Sequence, residues 1–311
     1  MSTGRLLASS VMTLGLSFAT QSFAQTFTYT QIDAPNSSLT RPFGINSYGQ
    51  IVGASEDADG TVHGFLRDTD GTYLKLDYPG ASFTNAMGIN DQGVIVGSWT
   101  DSQGKNHTYL RSPSGVISNF DPPAPCFPSK DPTRGRGINN HGDIVGRCYS
   151  PNHHEYGWIL HNDGTFQIVT GSGFASSDAW FAPDGGQYIA GGDYTEGTHR
   201  SGEGIYWIAG FVHGVLWNRN GGVTILDAHN SQTGLRSMNS SGDITGIYHD
   251  DALGRDHGFL VRNGVIINID FPNSSDSEDP FINDNGMIVG GFIDAANVEH
   301  GYIATCSGNG C

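Results

Sequence analysis

One ten-residue phrase recurs along this 311-residue chain and constrains what it can fold into more than any single motif. It reads Gly44-Ile45-Asn46-Ser47-Tyr48-Gly49-Gln50-Ile51-Val52-Gly53 and returns at Gly88–Gly97 and Gly137–Gly146. Later copies run Met238–Gly246 and Ile282–Gly290, and a worn one spans Ala182–Gly191. Two further phrases keep step with it. His-x-aromatic appears at His63, His107, His257 and His300, with His213 as a variant and Tyr156 in the third unit's place. Apolar-Asp-x-Pro appears at Asp33, Asp77 and Asp270, with partial matches at Asp121 and Asp227. Asn to His is 17 residues in most units, His to Asp is 14, and Asp to the next Asn is 13, so the unit is 44 residues. Self-similarity at this period marks a stacked or radial repeat.

Each unit reads as four short strands. Asn-x-x-Gly is a turn, with Asn first and a glycine able to take positive φ last. Pro79-Gly80 stops pairing, because proline has no N–H to donate. Composition agrees: 45 Gly, 13 Pro and only 15% charged residues disfavour a helical bundle. A four-stranded unit of this size matches a propeller blade. The first strand, Phe27–Pro35, matches only the fourth strand of a unit, and the last unit stops after His300–Ala304 without one. The spacing therefore predicts an all-β, six-bladed β-propeller over 25–305, closed by the N-terminal strand completing the last blade. A seventh blade hidden in 171–222 is the alternative.

Residues 1–24 read as a secretory signal: Arg5, an apolar stretch from Leu6 to Ala19, and a small-x-small site at Ser22-Phe23-Ala24. A secreted or periplasmic bacterial location is expected. No run approaches the roughly 20 apolar residues of a membrane span. Net charge is −16 over the whole chain. That opposes nucleic acid and anionic membranes, since Lys and Arg contacts dominate such binding. Four cysteines in a secreted chain suggest two disulfides, and proximity favours Cys126–Cys148 and Cys306–Cys311, the latter in a tail of residues 306–311.

The repeat phrases resemble those of bacterial extracellular HAF-repeat proteins, named for a His-Ala/Gly-Phe signature. The resemblance covers nearly all of residues 27–304. It implies secretion and a repeating β fold, and it brings no catalytic residues with it.

Asn46, Asn90, Asn139, Asn239 and Asn283 are read as structural, each closing its own turn. His63, His107, His213, His257 and His300 are read as locks within each blade, pairing with the Asp of the neighbouring strand. The acidic turns Asp57–Gly60 and Asp68–Gly71, and the cluster Asp276, Glu278 and Asp279, leave calcium as an optional ligand. No cofactor is otherwise expected, and the EF-hand spacing fails at Ser55 and Leu66. Chemistry is sought where the repeat breaks. Unit four carries an insertion, Asp193–Gly210, with Tyr194, Glu196, His199, Arg200, Glu203, Tyr206 and Trp207. Unit three carries Asn152-His153-His154-Glu155, and Pro122–Arg136 lengthens the crossing before it. Glu196 with Glu203 suits an acid/base carboxylate pair, Arg200 an acidic ligand, and Trp180, Trp207 and Trp217 sugar stacking. The expectation is a monomeric ligand-binding or scaffolding propeller for a glycan, peptide or envelope component. The alternative is a secreted enzyme, a glycan hydrolase or lyase or a lactonase type, using the unit-four insertion and the unit-three loop.

Overall fold

The computed structural model describes residues 26–124, 126, 133–149, 155–169, 176–181, 183, 188–195, 211–218 and 223–307. The described residues form six antiparallel four-stranded sheets. The first comprises Ser37–Ile45, Ile51–Asp57, Val62–Arg67 and Tyr73–Leu76, in chain order from the inside outward. Residues 176–225 supply a single sheet, the fourth. The sixth sheet takes its outer strand, Thr26–Ile32, from the other end of the chain, paired with Glu299–Ser307. Each inner strand packs on the next sheet, and the first packs on the sixth, so the sheets close into a ring. The fold is an all-β propeller. Its one helical segment among the described residues is the 3-10 turn Ala228–Asn230, and no helix there is long and apolar enough to cross a membrane.

The repeat phrases explain how a blade packs. The glycine ending Ile-Val-Gly lies opposite the aromatic of the His-x-aromatic phrase: Gly53 opposite Phe65, Gly97 opposite Tyr109, Gly146 opposite Trp158, Gly246 opposite Phe259 and Gly290 opposite Tyr302. Each aromatic is almost wholly buried. It lies over the glycine because no side chain stands there. The glycine of Gly-Ile-Asn has a different task. A Cβ on Gly88 would stand 2.9 Å from Gly137 Cα, and one on Gly137 would stand 2.7 Å from the Trp180 carbonyl oxygen. Neighbouring inner strands thus approach backbone to backbone around the axis.

Because successive strands are antiparallel, each blade has two ends. One face collects the Asn-x-x-Gly turns and is here called the turn face. The other, the mouth face, collects the starts of the inner and third strands and the ends of the second and outer strands.

The turn face is a hoop. Each Asn closes its own turn: Asn46 Oδ1 accepts from the N–H groups of Tyr48 (3.1 Å) and Gln50 (3.0 Å), and Asn283 Oδ1 does the same for Asn285 and Met287. Its amide also reaches the next blade. Asn46 Nδ2 donates to the carbonyl of Asn90, Asn90 to Asn139, Asn239 to Asn283, and Asn283 back to Asn46, at 2.9–3.3 Å. A second belt runs beside it, with Ser47 N–H on Asp91, Asp91 N–H on Asn140 and Ser240 N–H on Asp284, all at 2.7 Å. In the fourth blade the register, with Phe181 opposite Ala190 as Gly44 is opposite Val52, puts Pro183 at the Asn position. Proline supplies neither the amide nor an N–H.

Candidate functional site at the mouth face

Every inner strand carries a bulge at the same place, one residue before the Gly-Ile-Asn position. The bulged residues are Phe43, Met87, Arg136, Trp180 and Arg236, and in the sixth blade the two residues Asp279 and Pro280. A bulge re-aims a side chain, and these converge on the axis. Phe43, Met87 and Phe281 share one apolar cluster, with Trp180 packed against it. The cavity left in the middle of the channel is about 20 Å³, room for about one water. The channel is therefore plugged, and a ligand of any size must sit at an end.

Above the plug lies a charged cluster. Arg136 from the third blade and Arg236 from the fifth both lie over the Trp180 ring, 3.6 and 4.3 Å from its centroid. Arg236 Nε donates to Asp279 Oδ1, and Arg41 donates through Nε and Nη2 to both oxygens of the buried Glu299. The second of these pairs joins the first blade to the sixth across the closure. Burial pushes the Asp279 carboxyl up, but Arg236, Arg41 and Arg136 outweigh it and hold the group below its ordinary value. Glu278 is the opposite case. Burial first, then the charges of Asp279 and Glu299, push it up to about 8, with Arg41 opposing. The mouth thus holds ionised and protonated carboxyls side by side, a pattern met at functional sites.

Stability should register that proton. In the unfolded chain Glu278 ionises near 4.3. Between that value and about 8 the folded state binds the extra proton, so this group's contribution falls as pH rises and levels off above 8. Glu278→Gln is expected to melt close to the parent at pH 4 and above it at pH 9, by about 2–4 °C for each kcal/mol regained. A thermal-melting series across pH checks this, and equal melting at pH 9 would refute it.

A rim of histidines surrounds the mouth. His63 Nδ1 pairs with Asp77 at 2.8 Å, His107 with Asp121 at 3.0 Å, His213 with Asp227 at 2.8 Å, His257 with Asp270 at 2.6 Å and His300 with Asp33 at 2.9 Å. On its other nitrogen His63 meets Asp57, at 3.1 Å. The rings also pack between blades: Trp99 stacks between His107 and Tyr78, and Phe292 stacks on Phe271 and meets His300 at a tilt.

The candidate residues at the repeat breaks are placed as follows. Glu155 opens the third strand of blade three, where it is buried and paired with Arg147 at 2.9 Å, so it is a wall of the blade and not a loop carboxylate. Trp217 is buried in the core of blade four, and Trp180 is covered by two guanidinium groups; neither offers a bare face to a sugar. Tyr194 falls in the strand Tyr188–Thr195. His153, His154, Glu196, His199, Arg200, Glu203, Tyr206 and Trp207 lie outside the described residues. The acidic turns close on their own backbones: Gly60 N–H donates to the Asp57 carbonyl, and Thr72 N–H to the Asp70 carboxylate. Among the described residues no group of three or more His, Cys, Asp or Glu side chains is placed to hold a metal. Cys126 and Cys148 form a disulfide, which ties the long crossing before blade three to that blade's second strand. Cys311 lies outside the described residues.

The sequence reading named Trp180 and Asp279 but missed the other bulge residues and one structural position. Thr40, Thr84, Thr133, Thr233 and Ser277 are all buried, each six residues before its Asn. The hydroxyls of Thr40, Thr84 and Thr233 accept from the N–H after the preceding blade's Asp, at 2.9–3.1 Å. That fixed offset was the available signal.

No family model matches the chain, and no curated protein matches it. Solved structures do. TolB from Acinetobacter baumannii is 14% identical, with 83% of this chain and 64% of that one covered at a TM-score of 0.55. AofleA from Arthrobotrys oligospora is 11% identical over 92% and 91% of the two chains, TM-score 0.54. A catalytically inactive virginiamycin B lyase from Staphylococcus aureus, solved with quinupristin, is 15% identical over 90% and 100%, TM-score 0.51. At such identities the likeness is one of fold alone.

Proposed function

We propose that this chain is a secreted ligand-binding or scaffolding propeller of the HAF-repeat kind, which takes a glycan or an envelope component on its mouth face. The observation that carries this reading is the contrast between the two faces. The turn face is written almost identically from blade to blade and is spent on hydrogen bonds between blades. The mouth face carries the charged cluster, and the three departures from the repeat join strand ends that lie there. Residues 127–132 lead into the inner strand of blade three, 150–154 into its third strand, and 196–210 into the third strand of blade four. A rigid scaffold with its variation gathered at one end is the usual arrangement for a binding site. The disulfide supports an oxidising compartment.

The test is a glycan-array screen of the secreted chain, with and without Ca²⁺, run beside turnover assays on whatever binds. Binding should be lost in an Arg41→Ala/Arg236→Ala double variant. It should persist in Tyr48→Ala, which changes an exposed residue on the turn face. Binding that survives the double variant and fails in Tyr48→Ala would move the site to the turn face. Turnover of a bound glycan would replace the binding reading with the enzymatic one, for which Glu278 beside ionised Asp279 is the acid the structure offers.

A further inference from the structure

On the turn face the channel ends in an open cavity of about 40 Å³, room for about three water-sized groups. Its floor is apolar. Ile45, Ile89, Ile138, Met238 and Ile282, each one residue before its hoop asparagine, line it together with Phe181 of blade four. Its wall is the hoop and the belt, including Ser47, Asp91, Asn140 and Asp284. Among the described residues that line it there is no lysine, arginine or histidine.

The side-chain amides of this wall are spent. Those of Asn46, Asn90, Asn239 and Asn283 donate to the next blade, that of Asn139 to Asp143, and that of Asn140 to Asp91 Oδ2 at 2.8 Å. Acceptors remain. Asp284 accepts only the Ser240 N–H, through Oδ1, so its Oδ2 has no partner. The groups that bond Asp91 and Asp284 are all neutral N–H donors. Two carboxylate charges therefore stand unbalanced over an apolar floor.

We infer that this cavity takes a primary ammonium on an unbranched alkyl stem, the tip of a lysine side chain presented by a partner protein. The stem lies on the isoleucine floor, as lysine methylenes do on apolar surface. The ammonium donates to Asp284 Oδ2 and to Asp91. Three heavy atoms, Cδ, Cε and Nζ, match the volume. An anion is repelled by both carboxylates. A bare metal ion lacks its ligands, since no group of three or more His, Cys, Asp or Glu side chains converges among the described residues. A free polyamine gains little from its further charges, because the cavity engages one ammonium. The inference does not depend on what the mouth binds. It gives the opposite face a docking point of its own, the one a scaffold needs.

Methyl ¹H–¹³C spectra of the chain read the site directly, because Ile45, Ile89, Ile138, Ile282 and Met238 carry methyl groups on its floor. The probes are Nα-acetyl-lysine N-methylamide, its Nε-acetylated neutral form and spermidine. The lysine amide should shift those methyls and saturate on the order of 1 mM, as befits about three buried atoms. The Nε-acetylated form should bind about tenfold more weakly. Asp284→Asn keeps the oxygen that accepts from Ser240 and removes the charge, and it should weaken the lysine amide about two- to fivefold. Asp163→Asn, which neutralises an exposed turn-face carboxylate outside the cavity, should leave it unchanged. Equal binding of the acetylated form would show that no ammonium is recognised and would overturn the inference. So would equal weakening in the two variants, which would reduce the effect to the general negative field. Spermidine binding tenfold tighter than the lysine amide would overturn lysine as the source. Each of these failures leaves the mouth reading standing, and a blank glycan array leaves this one standing.

Discussion

A chain lacking residues 26–32 is expected to lose cooperative folding. Those residues make seven register pairs with Glu299–Ser307, from Thr26 opposite Ser307 to Ile32 opposite Gly301. They place Phe27 and Tyr29 against a cluster that holds the buried Tyr302, and Ile32 in the cluster at the axis. A fully buried side chain of this size is worth about 1.5–3 kcal/mol; with Ile32 buried and Phe27 and Tyr29 partly so, and the pairing with Glu299–Ser307 lost as well, the loss is a large share of the stability of a typical domain. It also bares the edge of Glu299–Ser307, and an unpaired edge recruits other chains. The measurement is a denaturant melt with light scattering, repeated with a synthetic peptide of residues 26–35 added in trans. Restoration of a single transition by the peptide is the expected signature of closure. Undiminished stability of the truncated chain would mean that the ring does not depend on its seam.

The second large effect is expected from one methyl group. Gly97→Ala puts a Cβ 2.1 Å from the Asn85 carbonyl oxygen and 2.7 Å from the Tyr109 ring. Neither neighbour has room to yield: Tyr109 is 1% exposed, and its hydroxyl is bonded to that same carbonyl at 3.0 Å. Overpacking of this kind costs about 3 kcal/mol or more. Gly104→Ala is the control. Its φ of +77° disfavours a side chain, but nothing stands within 4 Å, so the cost is about 1 kcal/mol. Thermal melts should rank the two clearly, and equal shifts would show that backbone conformation, not packing under the aromatic, keeps glycine at position 97.

The blade was legible in the sequence because its signals are local. Asn46 to Gly49 is a turn whatever surrounds it, and His63 and Asp77 lie across adjacent strands whose turn lengths fix their separation. Links between blades were harder to read. A donor in one repeat and its acceptor in the next look the same, on paper, as two copies of an internal bond, so the amide of Asn46 on the Asn90 carbonyl was hidden behind the turn it also closes. The mouth was least legible. Its residues share a register position and little chemistry: Phe43, Met87, Arg136, Trp180 and Arg236 repeat only the arginine. Arg41 and Glu299 are 258 residues apart and meet only because the ring closes. Trp180, Glu278 and Asp279 were noticed as residue types, but nothing local in the sequence marks the single bulge per blade that aims inner-strand groups at the axis.

Pro183 breaks the hoop of amides, and this has a bearing on how such a chain can change over time. A closed circle of six identical links would hold every blade equally and tax any insertion with the loss of a bond on each side. The circle here is already cut at blade four, which is also the blade whose second and third strands are joined by the longest connection, residues 196–210. Blade four adds no amide of its own to the hoop, so new sequence placed in that blade breaks no amide link donated from it. Where the molecule gave up a bond on one side, it gained freedom to elaborate on the other.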